Sequence, residues 1–267
     1  MILHSVYFSP SGTTKRVAEL VTGNIAGRSV NYDITQLVDI SPAIGADDVV
    51  MFVMPVYAGR VPALAAERLA SVKGNGQKAI AVVVYGNRDY DDALAELCDI
   101  IVKNGFEVAA AGAFIAQHCI FPKVAANRPD KDDEIKITEF SRLAKQAIDA
   151  GGSLDVCSVK GNRPYKKPGS IPLHPSVDKN KCDKCGICSE QCPSQAISPE
   201  NPQATDDSKC ISCCRCINVC PQGARRFGGV LYKIAGYKRE FGIRNTIKKL
   251  NRQLEKVADS FGNITDI

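Results

Sequence analysis

The chain has 267 residues, 45% of them apolar, twelve cysteines and a net charge of +5. That length predicts two or three units, and the apolar content excludes a disordered chain. No apolar run approaches the roughly 18 residues of a membrane span, which excludes a helical membrane protein. Residues 1–150 hold 15 Lys and Arg against 18 Asp and Glu; residues 151–267 hold 19 against 11. The basic excess is scattered over Lys160, Arg163, Lys166, Lys167 and the C-terminal tail, which reads as solvated faces and not as a nucleic-acid surface.

Short apolar runs alternate with helical stretches over residues 1–150. Strands are predicted at Ile2–Phe8, Asp47–Val56, Lys78–Tyr85 and Phe106–Ile115, with a weaker one at Ser29–Ile34. Helices are predicted at Thr14–Ile25, Pro62–Ser71, Asp91–Asn104 and Asp132–Ala150. Continuous apolar strands separated by helices define an α/β fold: a doubly wound, five-stranded parallel sheet covered on both faces. Ligands of such sheets bind beyond the carboxyl ends of the strands, so the loops that follow each strand are the candidate sites.

The first such loop is Ser9-Pro10-Ser11-Gly12-Thr13-Thr14, which runs directly into a helix. Hydroxyls, a glycine and a helix N-terminus make an anion site; an ordinary Ser/Thr helix cap uses the same residue types. No lysine stands at the nucleotide-triphosphate position, so a monophosphate held by neutral donors fits better. The loops after the third and fourth strands are Pro55-Val56-Tyr57-Ala58-Gly59-Arg60 and Tyr85-Gly86-Asn87-Arg88-Asp89-Tyr90. These three loops, in this order, resemble those of the flavodoxins. The resemblance implies that FMN is the cofactor, with its phosphate on Ser9, Ser11, Gly12, Thr13 and Thr14. It also implies that Pro55, Val56, Tyr57, Ala58, Gly59 and Arg60 line one side of the flavin ring, and Tyr85, Gly86, Asn87 and Tyr90 the other. Tyr57 and Tyr90 are the stacking candidates, since the chain has no tryptophan. Ala58-Gly59 is small enough for its peptide to approach the ring, and Arg60 is placed either to stabilise a reduced flavin or as a solvated loop residue.

Other features of this half read as structural. Asp89, Asp91 and Asp92 charge the start of the next helix. Gly74-Asn75-Gly76-Gln77-Lys78-Ala79 has a dinucleotide-like spacing, but it precedes a strand and reads as a turn, so NAD(P)H binding has no support. Cys98 lies on an apolar helix face. His118 and Cys119 lead into a long polar loop, Phe121–Asp130, where they read as packed residues or, alternatively, as an acid and a nucleophile near the flavin edge.

Gly151–Pro175 contains four glycines and four prolines and reads as an extended, semi-stiff linker, with Cys157 a free thiol. Beyond it, Cys182, Cys185, Cys188 and Cys192 form CxxCxxCxxxCP, closed by Pro193. Cys210, Cys213, Cys216 and Cys220 repeat the pattern 28 residues later, closed by Pro221. Such runs hold two 4Fe–4S clusters, three ligands coming from one run and the fourth from the other. The expected sets are Cys182, Cys185, Cys188 and Cys220, and Cys210, Cys213, Cys216 and Cys192. Zinc would need one set of four, and a disulfide framework an oxidising compartment. No signal peptide precedes the first strand, so a cytoplasmic location is expected. Cys214 aligns with Gly186, which cannot be a ligand, and is read as a packing residue beside the second cluster.

The segment Pro175–Phe227 resembles the bacterial-type two-cluster ferredoxins, a small α+β fold. The expected organisation is a flavodoxin-like domain at 1–150, a linker at 151–175, a ferredoxin-like domain at 176–227 and a helical basic tail at 228–267. This combination resembles the flavodoxin–ferredoxin fusion proteins of anaerobes. It implies a carrier that passes low-potential electrons between two clusters and FMN, converting between one- and two-electron transfer. Redox proteins, a ferredoxin-type donor or a flavoprotein acceptor, are the partners expected. Two other readings are a flavin-dependent reductase fed through the clusters, with its pocket at residues 117–130, and a redox-responsive binding module. In the tail, Ile243, Ile247, Leu250, Leu254, Val257 and Phe261 form a helical stripe suited to docking on the chain's own domains or, second, to homodimerisation.

Overall fold

The computed structural model describes residues 1–36, 43–169 and 172–237. Met1–Phe227 forms one compact unit and Gly228–Ile267 a second. In the second unit, residues 229–237 are helical; the apolar stripe from Ile243 onward lies outside the described residues.

The first unit is built on β1 (Leu3–Tyr7), β2 (Ser29–Asp33), β3 (Val49–Pro55), β4 (Lys78–Tyr85) and β5 (Glu107–Ile115). They form a parallel sheet in the order β2-β1-β3-β4-β5. This doubly wound order is the flavodoxin-like one, with its crossover beside β1. Helices α1 (Thr13–Ile25), α2 (Ala63–Leu69), α3 (Ala93–Lys103) and α4 (Lys131–Asp149) cover it. All seven residues of β3 are buried, because alternate side chains enter different cores. Val50, Phe52 and Met54 join the core that includes Leu69, Leu97 and Ile101 of α2 and α3. Val49, Met51 and Val53 join Val17, Val21, Ile137 and Ala144 of α1 and α4. The edge strand β2 is mostly exposed, which is why its sequence signal is weak. Helix α4 begins on a capping box in which Asp130 accepts from the Asp133 N–H and Asp133 accepts from that of Asp130.

The segment after α4, expected to be an extended, semi-stiff linker, is pinned to the α/β domain as a strap. The Leu154 N–H donates to the Val108 carbonyl (2.7 Å), and Leu154, Val156 and Val159 pack on the α2–α3 core. Lys160 pairs with Asp89 (2.9 Å) and Arg163 with Asp99 (2.9 Å). The Asn162 and Lys166 N–H groups donate to Asp92 (2.8 and 2.7 Å), and Tyr165 donates to Asp99. Asp89, Asp91 and Asp92 therefore do more than charge the start of α3. They hold the strap.

The cysteine-rich segment is small: β6 (Ser176–Val177) pairs antiparallel with β7 (Arg225–Arg226), and α5 (Ile187–Glu190) and α6 (Arg215–Asn218) are single turns. Its apolar core is limited to a few residues around Cys188, Ile197 and Cys216. A segment with so little core takes much of its folding energy from whatever its cysteines bind.

Candidate cofactor sites

The loop after β1 is shaped as an anion cradle. Gly12 is left-handed (φ 89) and begins α1 without a side-chain cap. A Cβ there would meet nothing within 4 Å. Ser11 Oγ lies 3.1 Å from Thr13 Oγ1. Ser9 is placed differently. It is buried, its N–H donates to Thr35 Oγ1 (2.7 Å) and its Oγ accepts from the Lys15 N–H (2.8 Å). Ser9 thus fixes the loop from inside; the Thr14 side chain is buried as well, while Ser11, Gly12 and Thr13 stay accessible at the head of α1.

After β3, Tyr57 and Arg60 exchange backbone hydrogen bonds (3.0 and 3.1 Å) across Ala58 and Gly59, both with positive φ (52 and 84). Such a turn needs a glycine or a small residue that accepts strain. A Cβ on Gly59 would collide with Asp91 and Lys166, so the turn is backed by the strap. Arg60 is neither a solvated residue nor an unassigned charge. Its guanidinium makes a bidentate pair with Glu96 (2.7 Å twice), donates to the Lys166 carbonyl (2.6 Å) and lies over the Tyr165 ring (4.7 Å). Pro55 ends β3, and Val56 donates its N–H to the Val84 carbonyl (2.9 Å).

After β4, Tyr85 and Tyr90 meet edge to face (5.5 Å), and Lys160 covers the Tyr90 ring (4.5 Å). Asn87 has a positive φ (57), and a Cβ on Gly86 would strike the His118 ring. His118 Nδ1 accepts the Ile120 N–H (3.2 Å), and Ile120, Phe121 and Val124 are buried. The 117–130 loop is therefore packed against the sheet end.

The eight repeated cysteines converge on two cavities. One is lined by Cys182, Cys185, Cys188 and Cys220. The other is lined by Cys192, Cys210, Cys213, Cys214 and Cys216. Each cavity draws thiols from both runs: three and one at the first, and at the second Cys192 with Cys210, Cys213, Cys216 and the additional Cys214. The Ala196 N–H points at Cys192 Sγ and the Ala224 N–H at Cys220 Sγ, both at 3.3 Å. Four convergent thiols with backbone N–H groups aimed at sulfur fit a 4Fe–4S cluster. Arg225 is buried beside the first cavity and donates to the Pro202 carbonyl (2.5 Å) and Thr205 Oγ1 (2.9 Å), fixing the loop there.

The second cysteine set abuts the loops of the sheet. Arg68 bridges the Ile34, Thr35 and Pro193 carbonyls (2.8, 2.6 and 2.7 Å). Gln36 donates to the Gln191 carbonyl (3.2 Å), and Asn218 to that of Ser11 (3.3 Å). The Tyr57 hydroxyl is pushed well above its ordinary range by burial, and secondarily by nearby Cys119, Cys213 and Cys214. Cys119 lies close to Cys214, whose thiol donates to the Ser212 carbonyl (3.7 Å). Cys214, and after it His118, holds the Cys119 thiol below its ordinary range against the opposing effect of burial. Cys214 is buried, as expected of a packing residue. Its partner was not readable from the sequence, where 95 residues separate the two. Cys98 is buried in the α2–α3 core, and that burial pushes its thiol up to about 12. Cys157 is exposed.

The chain thus joins an α/β domain with the flavodoxin-like strand order to a small cysteine-rich segment. Residues 174–221 match the family model described as a 4Fe-4S dicluster domain. Solved structures similar to the α/β part include a flavodoxin of Streptococcus pneumoniae TIGR4, 18% identical with a TM-score of 0.42, covering 55% of this chain and 99% of that one. A Fusobacterium nucleatum flavodoxin bound to flavin mononucleotide is 14% identical with a TM-score of 0.34, covering 56% and 95%. Rubredoxin oxygen:oxidoreductase of Desulfovibrio gigas is 13% identical with a TM-score of 0.39, covering 59% of this chain and 37% of that one. No curated protein matches the chain. Among the described residues no helix is long and apolar enough to cross a membrane.

Proposed function

We propose that the protein is an electron carrier that exchanges low-potential electrons between two 4Fe–4S clusters and FMN. Cys182, Cys185, Cys188 and Cys220 hold one cluster, and Cys192, Cys210, Cys213 and Cys216 the other. Ser11, Gly12, Thr13 and Thr14 hold the FMN phosphate on a loop braced by Ser9, with the ring between the Tyr57 turn and the Tyr85–Tyr90 loop. When bound, each cluster exchanges single electrons and the flavin one or two, so the chain converts between the two modes. The observation that carries this reading is the contact of the cysteine-rich segment with the sheet loops, through Arg68 and Pro193, Gln36 and Gln191, Asn218 and Ser11, and Ile211 against the sheet core. Arg68 holds the two parts in register. The carrier reading is favoured over a reductase because His118 and the 117–130 loop are occupied in packing.

Anaerobically purified protein should contain about eight iron, eight sulfide and one FMN. A one-electron donor should reduce the clusters and, through them, the flavin, while NADH or NADPH alone should act slowly or not at all. Stopped-flow absorbance separates flavin bleaching from the cluster signal. Stoichiometric zinc, or fast saturable flavin reduction by NAD(P)H in a cluster-free variant, would defeat the proposal.

A further inference from the structure

The two cysteine runs are copies of one structure, but only one of them is covered. Lys184 and Ser212, 28 residues apart, both have positive φ (60 and 55), as do Gly186 and Cys214 (80 and 67) and Gln195 and Gly223 (53 and 55). A module with this internal symmetry has two equivalent ends. At one end Ile211 packs on the core of the sheet. Ser212, Cys213 and Cys214 are 2%, 8% and 2% exposed there, and Ser212 Oγ donates to the Leu173 carbonyl (2.5 Å). At the other end the equivalent residues Asp183, Lys184 and Cys185 are exposed. The sequence follows the same division, with Ile211-Ser212 under cover and Asp183-Lys184 in water.

We infer that the exposed loop 183–186 is the docking face for an external one-electron carrier protein with an acidic surface. This inference rests on the cofactor reading above. Electron transfer weakens steeply with separation, so a partner gains most by approaching the exposed one of the eight repeated thiols, which is Cys185. From there the path runs through the first cysteine set to the second, and on to the sheet loops that the second set touches. Each encounter moves one electron: the partner is oxidised by one, the chain is reduced by one, and no bond is made or broken. Charge selects the partner. Lys179, Lys181 and Lys184 are exposed around this end. Of the nearby acids, Asp178 lies 3.7 Å from Arg226, and Asp183 accepts from Gln222 (3.0 Å) and the Cys185 N–H (3.1 Å). The surplus is positive, and complementary charge speeds encounter and fixes orientation.

The test uses anaerobically purified holoprotein and an acidic bacterial-type ferredoxin as the probe. Iron and flavin contents, read on the sample before the probe is added, report separately on the cofactor reading; if they are absent, that reading fails and takes this one with it. The Lys181→Glu/Lys184→Glu double variant should weaken ferredoxin binding and its rate of electron delivery about tenfold at low salt, and flatten their salt dependence. Reduction by dithionite and the iron content should not change. Lys136→Glu, on the exposed face of α4, should change none of these. Carbodiimide cross-links should join ferredoxin carboxylates to Lys181 or Lys184. Binding that is absent, insensitive to the double reversal, or weakened as much by Lys136→Glu overturns the inference.

Discussion

Cys214 sits in a left-handed backbone (φ 67) where the first run has Gly186. A side chain there costs about 1 kcal/mol, and the thiol's contact with Cys119 offsets part of that cost. Cys214→Gly should therefore keep the full iron content and leave the melting temperature unchanged or slightly raised, whereas Cys192→Ser should damage the cluster in the cavity of Cys210, Cys213 and Cys216. Mössbauer spectra of the two variants decide it; damage confined to the other cavity would refute the crossed ligand sets. Arg60 carries a second residue-scale consequence. Its pair with Glu96 is nearly enclosed, with side chains 16% and 11% exposed. Glu96→Ala should cost about 3 kcal/mol by leaving the guanidinium unpaired, visible as a lower denaturation midpoint. Neither pair could be read from the sequence. Glu96 looks like a solvated helix residue, and Cys119 and Cys214 belong to different segments, so only the tertiary fold brings each to its partner.

At the scale of elements, the strap is stabilised by acids of the β4–α3 loop and α3. Burial alone would raise the carboxyls of Asp92 and Asp99. The N–H groups of Lys166 and Asn162 outweigh it at Asp92, and Arg163 and Tyr165 at Asp99, so both lie below the usual range. Groups lowered in the folded state stabilise it above their unfolded value, about 3.9, and that contribution is lost as pH falls through the lower folded value. Hydrogen exchange of residues 160–166 should thus accelerate as pH drops below about 4, once the intrinsic pH dependence is removed. Asp92→Asn should blunt the effect. The strands and helices of the sheet were legible because each carries its own signal: continuous apolar runs for β1, β3, β4 and β5, and apolar periodicity for α1, α3 and α4. The strap has no periodicity. Its glycines and prolines read as a tether, and its order comes from charges that only the α3 face completes.

For the whole molecule, the anion cradle and the cysteine cavities draw on different residues although they share one compact unit. Gly12→Asp should place a carboxylate where the phosphate binds and abolish FMN binding, while iron content survives. Loss of both together would mean that the two sites fold as one. The cysteine spacing made the crossed sets legible, because position along a repeat dictates which cavity each thiol faces. What the spacing could not give was which copy meets the sheet. The difference between Ile211-Ser212 and Asp183-Lys184 is a clue that gains meaning only beside the fold.

Because the strap is held along its length, the continuity of the chain there is not what keeps the halves together. A single cut at Lys160–Gly161 would leave residues 162–166 pinned to Asp92 and Asp99, and the Arg68, Gln36 and Asn218 contacts intact. The nicked protein should elute from a sizing column as one particle and separate into two fragments only under denaturant. The strap thus acts as a rivet, and the protein should behave as a two-piece complex whose pieces happen to be made on one chain.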